Sequence, residues 1–248
     1  MTPNESSTRR QAKVPGRLSR SLLRLLMKPA TVTASERLSD RFRMITLEGE
    51  ALKGAAWTPG DKVQIAMGSA FVARTYKPIE WDAHTGRTRI IAYDHGDGPG
   101  ATWVRETGPG DECHIFGPRA SLDPRPLTGS LALFGDETTM GLASALRGLE
   151  PTRRVFCYFE LVEGEEGAAV LTRLGLESAA RFVRRQDERH LDEMEATLPA
   201  LVAGGASVLL TGRAGAVQRW RQALKRHALP PGRLLSKAYW AAGKTGLD

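Results

Sequence analysis

The sequence has few cysteines, few aromatic residues and no long apolar run. Its 248 residues include two cysteines, Cys113 and Cys157, and only 6% are aromatic. Two thiols exclude an iron–sulfur cluster held by four cysteines, and neither lies in a CxxC or Cys/His cluster that would predict structural zinc. We therefore expect two buried, reduced thiols in a cytoplasmic protein. No run approaches the ~20 apolar residues that cross a bilayer, so stable membrane insertion is not expected.

Positive charge is concentrated at the start of the chain. The net charge is +7, and residues 1–30 account for +6 of it, with seven lysines and arginines against one glutamate. The other residues are nearly neutral, which does not favour a nucleic-acid-binding surface. Leucines at helical spacing (Leu18, Leu22, Leu25, Leu26) predict a short amphipathic helix in this tail, residues 1–28. A membrane-surface contact and a transit peptide stay open, but we favour a disordered start and a helix docked on the domain.

Short alternating segments follow the tail and predict an antiparallel β domain over residues 29–125. "ATVTASERL", "FRMITLEGE", "DKVQIAM", "FVARTY", "TRIIAYDH" and "ECHIFGP" are six candidate strands, and the turn "PGD" precedes two of them. One helix candidate begins near Trp103. We predict a six-stranded antiparallel barrel.

The pattern changes after the proline-rich linker "SLDPRPLTG". Apolar strands "LALFGD", "RRVFCYFEL", "SVLLTGR" and "RLLSKAYW" alternate with the helical segments "TTMGLASALRGL", "HLDEMEATLPALVA" and "AVQRWRQALKRHA". Strands alternating with helices predict a parallel sheet covered by helices. The predicted architecture is therefore a β-barrel followed by an α/β domain over residues 126–240, with a C-terminal tail at 241–248.

The segment "HGDGPGATW", residues 95–103, is rich in glycine and follows a strand. Backbone N–H groups that converge at such a turn, or at the start of the helix near Ala101, can bind a phosphate. About twenty residues earlier, "RTYKP" places Arg74 and Tyr76 on one face of a strand. An arginine for phosphate and an aromatic ring for stacking suit a ligand that is both planar and phosphorylated.

Five motifs in order, "RTYKP", "HGDGPGATW", "GPRAS", "GDET" and "AYW", resemble the siderophore-interacting protein family. These are FAD-dependent ferric-siderophore reductases of the ferredoxin-reductase-like superfamily, and the resemblance covers residues 18–243. It implies non-covalent FAD on the β domain and NADPH or NADH at the α/β domain as electron donor. The flavin performs the redox chemistry, so no catalytic side chain and no metal ligand are expected.

The resemblance also implies roles for individual residues. Arg74 would contact phosphate, Tyr76 the isoalloxazine, and Lys77 stands where the family has a serine or threonine near flavin N5. Gly100, Ala101 and Thr102 would surround the FAD pyrophosphate. Thr138 of "GDET" would face the nicotinamide, and Trp240 would close over the flavin. The implied cofactor-binding set is Arg74, Thr75, Tyr76, Lys77, Asp94, His95, Gly96, Gly98, Pro99, Gly100, Ala101, Thr102, Asp136, Thr138 and Trp240.

Substrate and donor are less constrained by the motifs. The family often has arginines after "YW", where this chain has Ala241 and Ala242, so Lys237 and Lys244 are the candidates for contact with an anionic ferric siderophore. Either Glu160 binds ribose hydroxyls, or an arginine binds a 2′-phosphate, and we favour NADPH. The candidate arginines are Arg181, Arg184, Arg185 and Arg213.

The acidic cluster "DERHLDEMEA" is interpreted as a solvated helix face rather than a metal site. The predicted function is ferric-siderophore reduction by a monomer. Two alternatives stay open, a general NAD(P)H:flavin or electron-carrier reductase of the same fold, and a siderophore-binding protein without enzymatic activity.

Overall fold

A computed structural model of the chain describes residues 27–69, 72–149 and 152–244. Seven strands form one antiparallel sheet in the order β4-β3-β7-β1-β2-β6-β5. Their bounds are β1 Lys28–Arg37, β2 Phe42–Glu48, β3 Lys62–Ser69, β4 Val72–Tyr76, β5 Pro78–Asp82, β6 Arg87–Tyr93 and β7 Glu112–Arg119. Helix α1, Pro99–Glu106, lies between β6 and β7 in the chain. The extra strand relative to the prediction is β5, whose leading proline and short length concealed it.

The two edges of this sheet meet at one residue. Strand β4 lies at one edge and β5 at the other, yet only Lys77 separates them in the chain. The sheet must therefore curl until its edges are adjacent, as the predicted barrel requires. Inward-facing residues of five neighbouring strands fill its interior, among them Val32, Ile45, Val63, Ile65, Ile90 and Ile115.

A parallel five-stranded sheet in the order β10-β9-β8-β11-β12 forms the second half. The strands are β8 Leu131–Gly135, β9 Val155–Leu161, β10 Ala180–Val183, β11 Ser207–Arg213 and β12 Leu234–Trp240. The helices are α2 Met140–Leu149, α3 Gly164–Arg173, α4 Arg189–Glu195, α5 Leu198–Ala203 and α6 Ala214–Arg226. The predicted fold class, an antiparallel β domain followed by a parallel α/β domain, is confirmed.

Three elements of the second half differ from the prediction. Helix α3 and strand β10 were not predicted. The single helix predicted over "HLDEMEATLPALVA" is two helices, α4 and α5, because Pro199 occupies the first turn of α5. Proline lacks the N–H that a continuous helix needs at that position, but it fits a helix start.

The two halves pack directly on each other. Leu38 and Phe42 of the β domain belong to the same buried cluster as Leu133 and Phe159 of the α/β domain. Helix α2 approaches the β4–β5 link closely, and a Cβ built on Gly141 would lie 3.3 Å from the Lys77 carbonyl oxygen. The carboxyl ends of the parallel strands thereby adjoin the edge strands of the β domain.

Candidate functional site

The glycine-rich corner ends at the first turn of α1. Gly96 and Gly98 have φ of 111° and 124°, which strongly favour glycine, and Gly98 is the N-cap. Thr102 N–H donates to the Gly98 carbonyl at 3.0 Å. Pro99 has no N–H, so the free donors at this helix start are the amides of Gly100 and Ala101. No acidic side chain occupies the first turn of α1, which leaves its positive end suited to an external anion.

Arg74 lies against this helix start. A Cβ built on Gly100 would lie 2.9 Å from Arg74 Cγ, so glycine is what admits the arginine stem. The Arg74 guanidinium donates one bond to its neighbour's carbonyl, Ala73 O, at 2.8 Å. A cation beside the positive end of a helix is unfavourable unless an anion lies between them. We call Arg74, Gly100 and Ala101 the anion cradle.

Arg105, which the sequence analysis missed, braces the corner. Its NH1 donates to both carboxylate oxygens of Asp94, at 3.0 and 2.9 Å, and to Gly96 O at 2.9 Å. Asp94 also accepts from Gly96 N–H at 2.9 Å. Burial raises the pKa of Asp94, but these bonds outweigh it and the net pKa is lowered. Asp94 therefore holds the loop, while His95 is exposed on it. Asp94 and Arg105 are eleven residues apart in the chain, so no local sequence pattern predicts that they pair.

Tyr76 lies beside the cradle on the same face of β4 as Arg74. Its ring centroid is 5.7 Å from that of Trp103 in α1, with the planes tilted by 47°. Burial raises the pKa of Tyr76 far above its ordinary value, so the phenol stays neutral. Thr75 points to the other face of β4 and is exposed. The strand thus presents a cation and an aromatic ring together, as the sequence predicted.

Lys77 is buried at the junction of the two halves. Its Nζ donates to Gly60 O at 2.6 Å and lies 5.4 Å from the centroid of the Tyr239 ring in β12. Its side chain therefore connects a β-domain turn to the last strand of the α/β domain. The contact between Lys77 and flavin N5 stays a prediction.

The "GDET" turn and the C-terminal tryptophan are joined by a buried carboxylate. Asp136 is fully buried, accepts from Thr138 N–H at 2.9 Å, and accepts from the Trp240 indole Nε1 at 2.7 Å. Burial raises the pKa of Asp136, although both partners oppose the shift. Thr138 also donates its hydroxyl to Asp136 and remains partly exposed. Asp136 therefore organises the turn, and Thr138 and Trp240 form its accessible surface.

A second buried carboxylate, Glu160, ends β9. It accepts from Arg213 at 3.1 Å through both oxygens and pairs with His190 Nε2 at 2.9 Å. Burial raises the pKa of Glu160, but Arg213 and Arg184 outweigh this and lower it overall. His190 is buried as well, so its assignment to a solvated helix face was wrong. The periodicity of helix α4 places His190 on the buried face of the helix. The charged residues around it in the sequence gave no sign of this burial.

The two predicted substrate lysines lie on the last strand and just after it. Lys237 is partly buried in β12 opposite Thr211 of β11, whereas Lys244 is exposed in the turn that follows Ala241. Among residues 27–69, 72–149 and 152–244, no group of three or more His, Cys, Asp or Glu side chains could hold a metal ion. Within the same ranges, no helix is both long and apolar enough to span a membrane.

Comparison with known proteins agrees with this geometry. Residues 62–122 match the family model of the siderophore-interacting FAD-binding domain. A siderophore utilization protein from T. fusca is 22% identical, with 90% of this chain and 95% of that chain covered and a TM-score of 0.67. The siderophore-interacting protein SipS from Aeromonas hydrophila is 21% identical, with 88% and 94% covered and a TM-score of 0.71.

Phthalate dioxygenase reductase shares the fold at 15% identity, with 88% of this chain and 70% of that chain covered and a TM-score of 0.69. A comparison with curated proteins finds no match. The matched segment contains β4, the glycine-rich corner and α1, which are the elements that build the anion cradle. Residues 62–122 thus match the siderophore-interacting FAD-binding domain, and the predicted resemblance to the siderophore-interacting protein family is confirmed.

Proposed function

We propose that this chain is an FAD-dependent reductase of ferric siderophores, with NAD(P)H as the electron donor. The observation that carries the proposal is the anion cradle next to an aromatic ring. Arg74 and the free amides of α1 offer a diphosphate a cation and backbone donors, and Tyr76 and Trp103 offer a planar ring system a surface beside them. This combination fits the diphosphate and isoalloxazine of FAD.

When bound, FAD supplies the chemistry, since flavins accept hydride and donate single electrons. The protein's residues bind and orient. The amides of Gly100 and Ala101 hold the pyrophosphate, with Thr102 as a further hydroxyl donor, and Arg74 neutralises its charge. Tyr76 holds the ring system, and the buried ammonium of Lys77 adds positive charge at the interface between the two halves.

The nicotinamide side is proposed at the carboxyl ends of β8 and β12. Thr138 and Trp240 lie there around the buried Asp136, next to Lys77 and the edge strands of the β domain. Open α/β sheets bind ligands outside the carboxyl ends of their strands. A dinucleotide in that crevice would lie on the side of the α/β domain that faces the β domain, because the two halves pack together at this edge.

The substrate proposal is an anionic Fe(III) chelate. Hard oxygen ligands hold Fe(II) less tightly than Fe(III), so reduction releases the metal. Lys237 and Lys244 would attract the chelate. Monomeric state and cytoplasmic location stay predictions of this proposal.

The test is the absorption spectrum of the purified protein supplied with FAD. We expect a flavin band that NADH or NADPH bleaches and a ferric siderophore restores. Arg74→Ala should lose the flavin, whereas Arg87→Ala, an exposed arginine of the same domain that pairs with Glu48, should keep it. Absence of flavin binding by the unmodified protein would refute the proposal, and tight flavin in Arg74→Ala would refute the role of the cradle.

A general NAD(P)H:flavin or electron-carrier reductase is a second candidate, favoured by the shared fold with phthalate dioxygenase reductase. Turnover with free flavin or quinones above turnover with ferric chelates would support it. Siderophore binding without bleaching of flavin would instead support a binding protein without enzymatic activity.

A further inference from the structure

Arg213 occupies the topological switch point of the parallel sheet. The chain runs outward from β8 through β9 to β10, then crosses to β11 and β12 on the other side of β8. Ligands of open α/β sheets bind at the crevice where the order reverses, here between the ends of β8 and β11. Arg213 ends β11 and precedes α6, a thirteen-residue helix with no acidic residue in its first turn. A dinucleotide diphosphate at that helix start would place its adenosine ribose near Arg213.

Every guanidinium nitrogen of Arg213 already donates to a carboxylate. Nε and NH2 bond to Glu160 at 3.1 Å each, and NH1 bonds to Glu188 at 2.9 Å. Glu160 is fully buried, whereas 47% of the Glu188 side chain is exposed. Glu188 is therefore the carboxylate that a ligand at this edge would meet first.

Arg184 also faces carboxylates, although its buried Nε makes no hydrogen bond within the described part of the chain. Its NH2 donates to Glu137 at 3.3 Å, its Nε lies 3.6 Å from Glu160, and its guanidinium carbon lies 5.8 Å from the Trp240 ring centroid. Of the four arginines considered for a 2′-phosphate, these two face the buried Glu160. Three carboxylates, Glu137, Glu160 and Glu188, surround two guanidinium groups, which leaves no excess positive charge.

The remaining two arginines lie on the exposed surface. Arg185 is exposed and lies 3.7 Å from Glu193, and Arg181 is exposed within the edge strand β10. A 2′-phosphate carries up to two negative charges and needs unpaired donors, whereas a 2′-hydroxyl can donate to a carboxylate. The carboxyl edge of the parallel sheet therefore suits a 2′-hydroxyl better than a 2′-phosphate.

We propose that the site selects NADH over NADPH, and that Glu188 is the specificity-determining residue that accepts from the adenosine ribose and keeps Arg213 occupied. This inference rests on the proposed function, because it concerns the donor of the same reaction. It replaces the preference for NADPH that the arginine-rich sequence suggested, since Arg213 and Arg184 are paired with the protein's own carboxylates.

The experiment compares binding and reduction for matched ligands. Equilibrium binding of 5′-AMP and 2′,5′-ADP to the full chain reports the 2′-phosphate directly, and NADH and NADPH are then compared by the rate of flavin reduction. We expect the unmodified protein to favour the ligand without the 2′-phosphate at least tenfold in both assays. Glu188→Gln should reduce that ratio about tenfold. Glu177→Gln is the control, because Glu177 is exposed before β10, at the opposite end of the sheet.

Equal or tighter binding of 2′,5′-ADP by the unmodified protein would overturn the inference, and so would a ratio that Glu188→Gln leaves unchanged. These outcomes differ from failure of the proposed function. If NADPH reduces a bound flavin as well as NADH does, the reductase proposal stands and the NADH preference falls. If no flavin binds, or neither dinucleotide reduces it, both fall.

Discussion

Gly100→Ala should weaken FAD binding without weakening the fold. Gly100 occupies the first turn of α1, where alanine is the better helix former by about 0.5–1 kcal/mol. The added methyl carbon would lie 2.9 Å from Arg74 Cγ and 3.5 Å from its Nε. The arginine is a flexible side chain, so it moves away and the helix is kept. The cradle loses its cation while the backbone donors remain.

The size of the effect follows from the bond that is lost. A hydrogen bond to a charged group contributes about 1.5–3 kcal/mol, which corresponds to a roughly ten- to hundredfold rise in the dissociation constant of FAD. Flavin fluorescence titration of the apoprotein measures this constant, and urea unfolding measures stability. We expect the free energy of unfolding of the apoprotein to be unchanged or raised by up to about 1 kcal/mol.

Two further variants show whether displacement of Arg74 is the cause. Gly148→Ala places the same methyl group in helix α2, where a Cβ contacts nothing within 4 Å, and should leave FAD binding intact. In the Arg74→Ala background, Gly100→Ala has no arginine stem to displace and should cost no further affinity. The reasoning is refuted if Gly100→Ala binds FAD as the unmodified protein does, or if its loss persists undiminished without Arg74.

Three other changes test the buried polar groups. Trp240→Phe removes the indole N–H that donates to the buried Asp136 and should lower the free energy of unfolding by about 1–3 kcal/mol in urea titrations. An unchanged free energy of unfolding would show that this hydrogen bond does not stabilise the fold. Burial raises the pKa of Glu160, but Arg213 and Arg184 lower it more strongly, so the ionised form stabilises the fold above the unfolded pKa of about 4.3. This contribution should disappear as pH falls through the folded pKa. Glu160→Gln should therefore make the free energy of unfolding depend less on pH in the acid range. Lys77→Met removes the bond to Gly60 O and the ammonium that lies over the Tyr239 ring, and should destabilise the protein by about 1–3 kcal/mol. An unchanged thermal midpoint would show that neither contact stabilises the fold.

Local patterns predicted most strands because alternation and turn residues act over a few positions. The missed elements break that pattern for reasons of packing. Helix α3 contains two glycines, and Gly167 leaves room for the buried Leu161 side chain, since a Cβ there would lie 2.6 Å from Leu161 Cδ1. Helix propensity does not predict a helix whose glycines are there to make room for a neighbouring strand. Strand β5 forms because the curled sheet brings it next to β6, with which it pairs. Its leading proline gives no sequence signal for this pairing.

Charged residues at strand ends were the hardest to interpret. Glu160 and Arg213 stand 53 residues apart, and each alone fits a ligand contact. Whether they bind a ligand or each other depends on the crossing from β10 to β11, which no local pattern encodes. The structure shows that they bind each other, so Arg213 is a counter-ion of Glu160.

The anion cradle differs because its own groups do not satisfy one another. Glycine in the first turn of a helix and an arginine beside the positive end of that helix both cost stability on their own. Such costs persist where a bound group offsets them, and a diphosphate satisfies the free amides and the guanidinium together. Glu160 and Arg213 offset each other within the chain, so their cluster requires no ligand. The distinction gives a general expectation for this fold: the anion should bind where the protein's own charges are unbalanced, at Arg74, and not where they are paired, at Arg213.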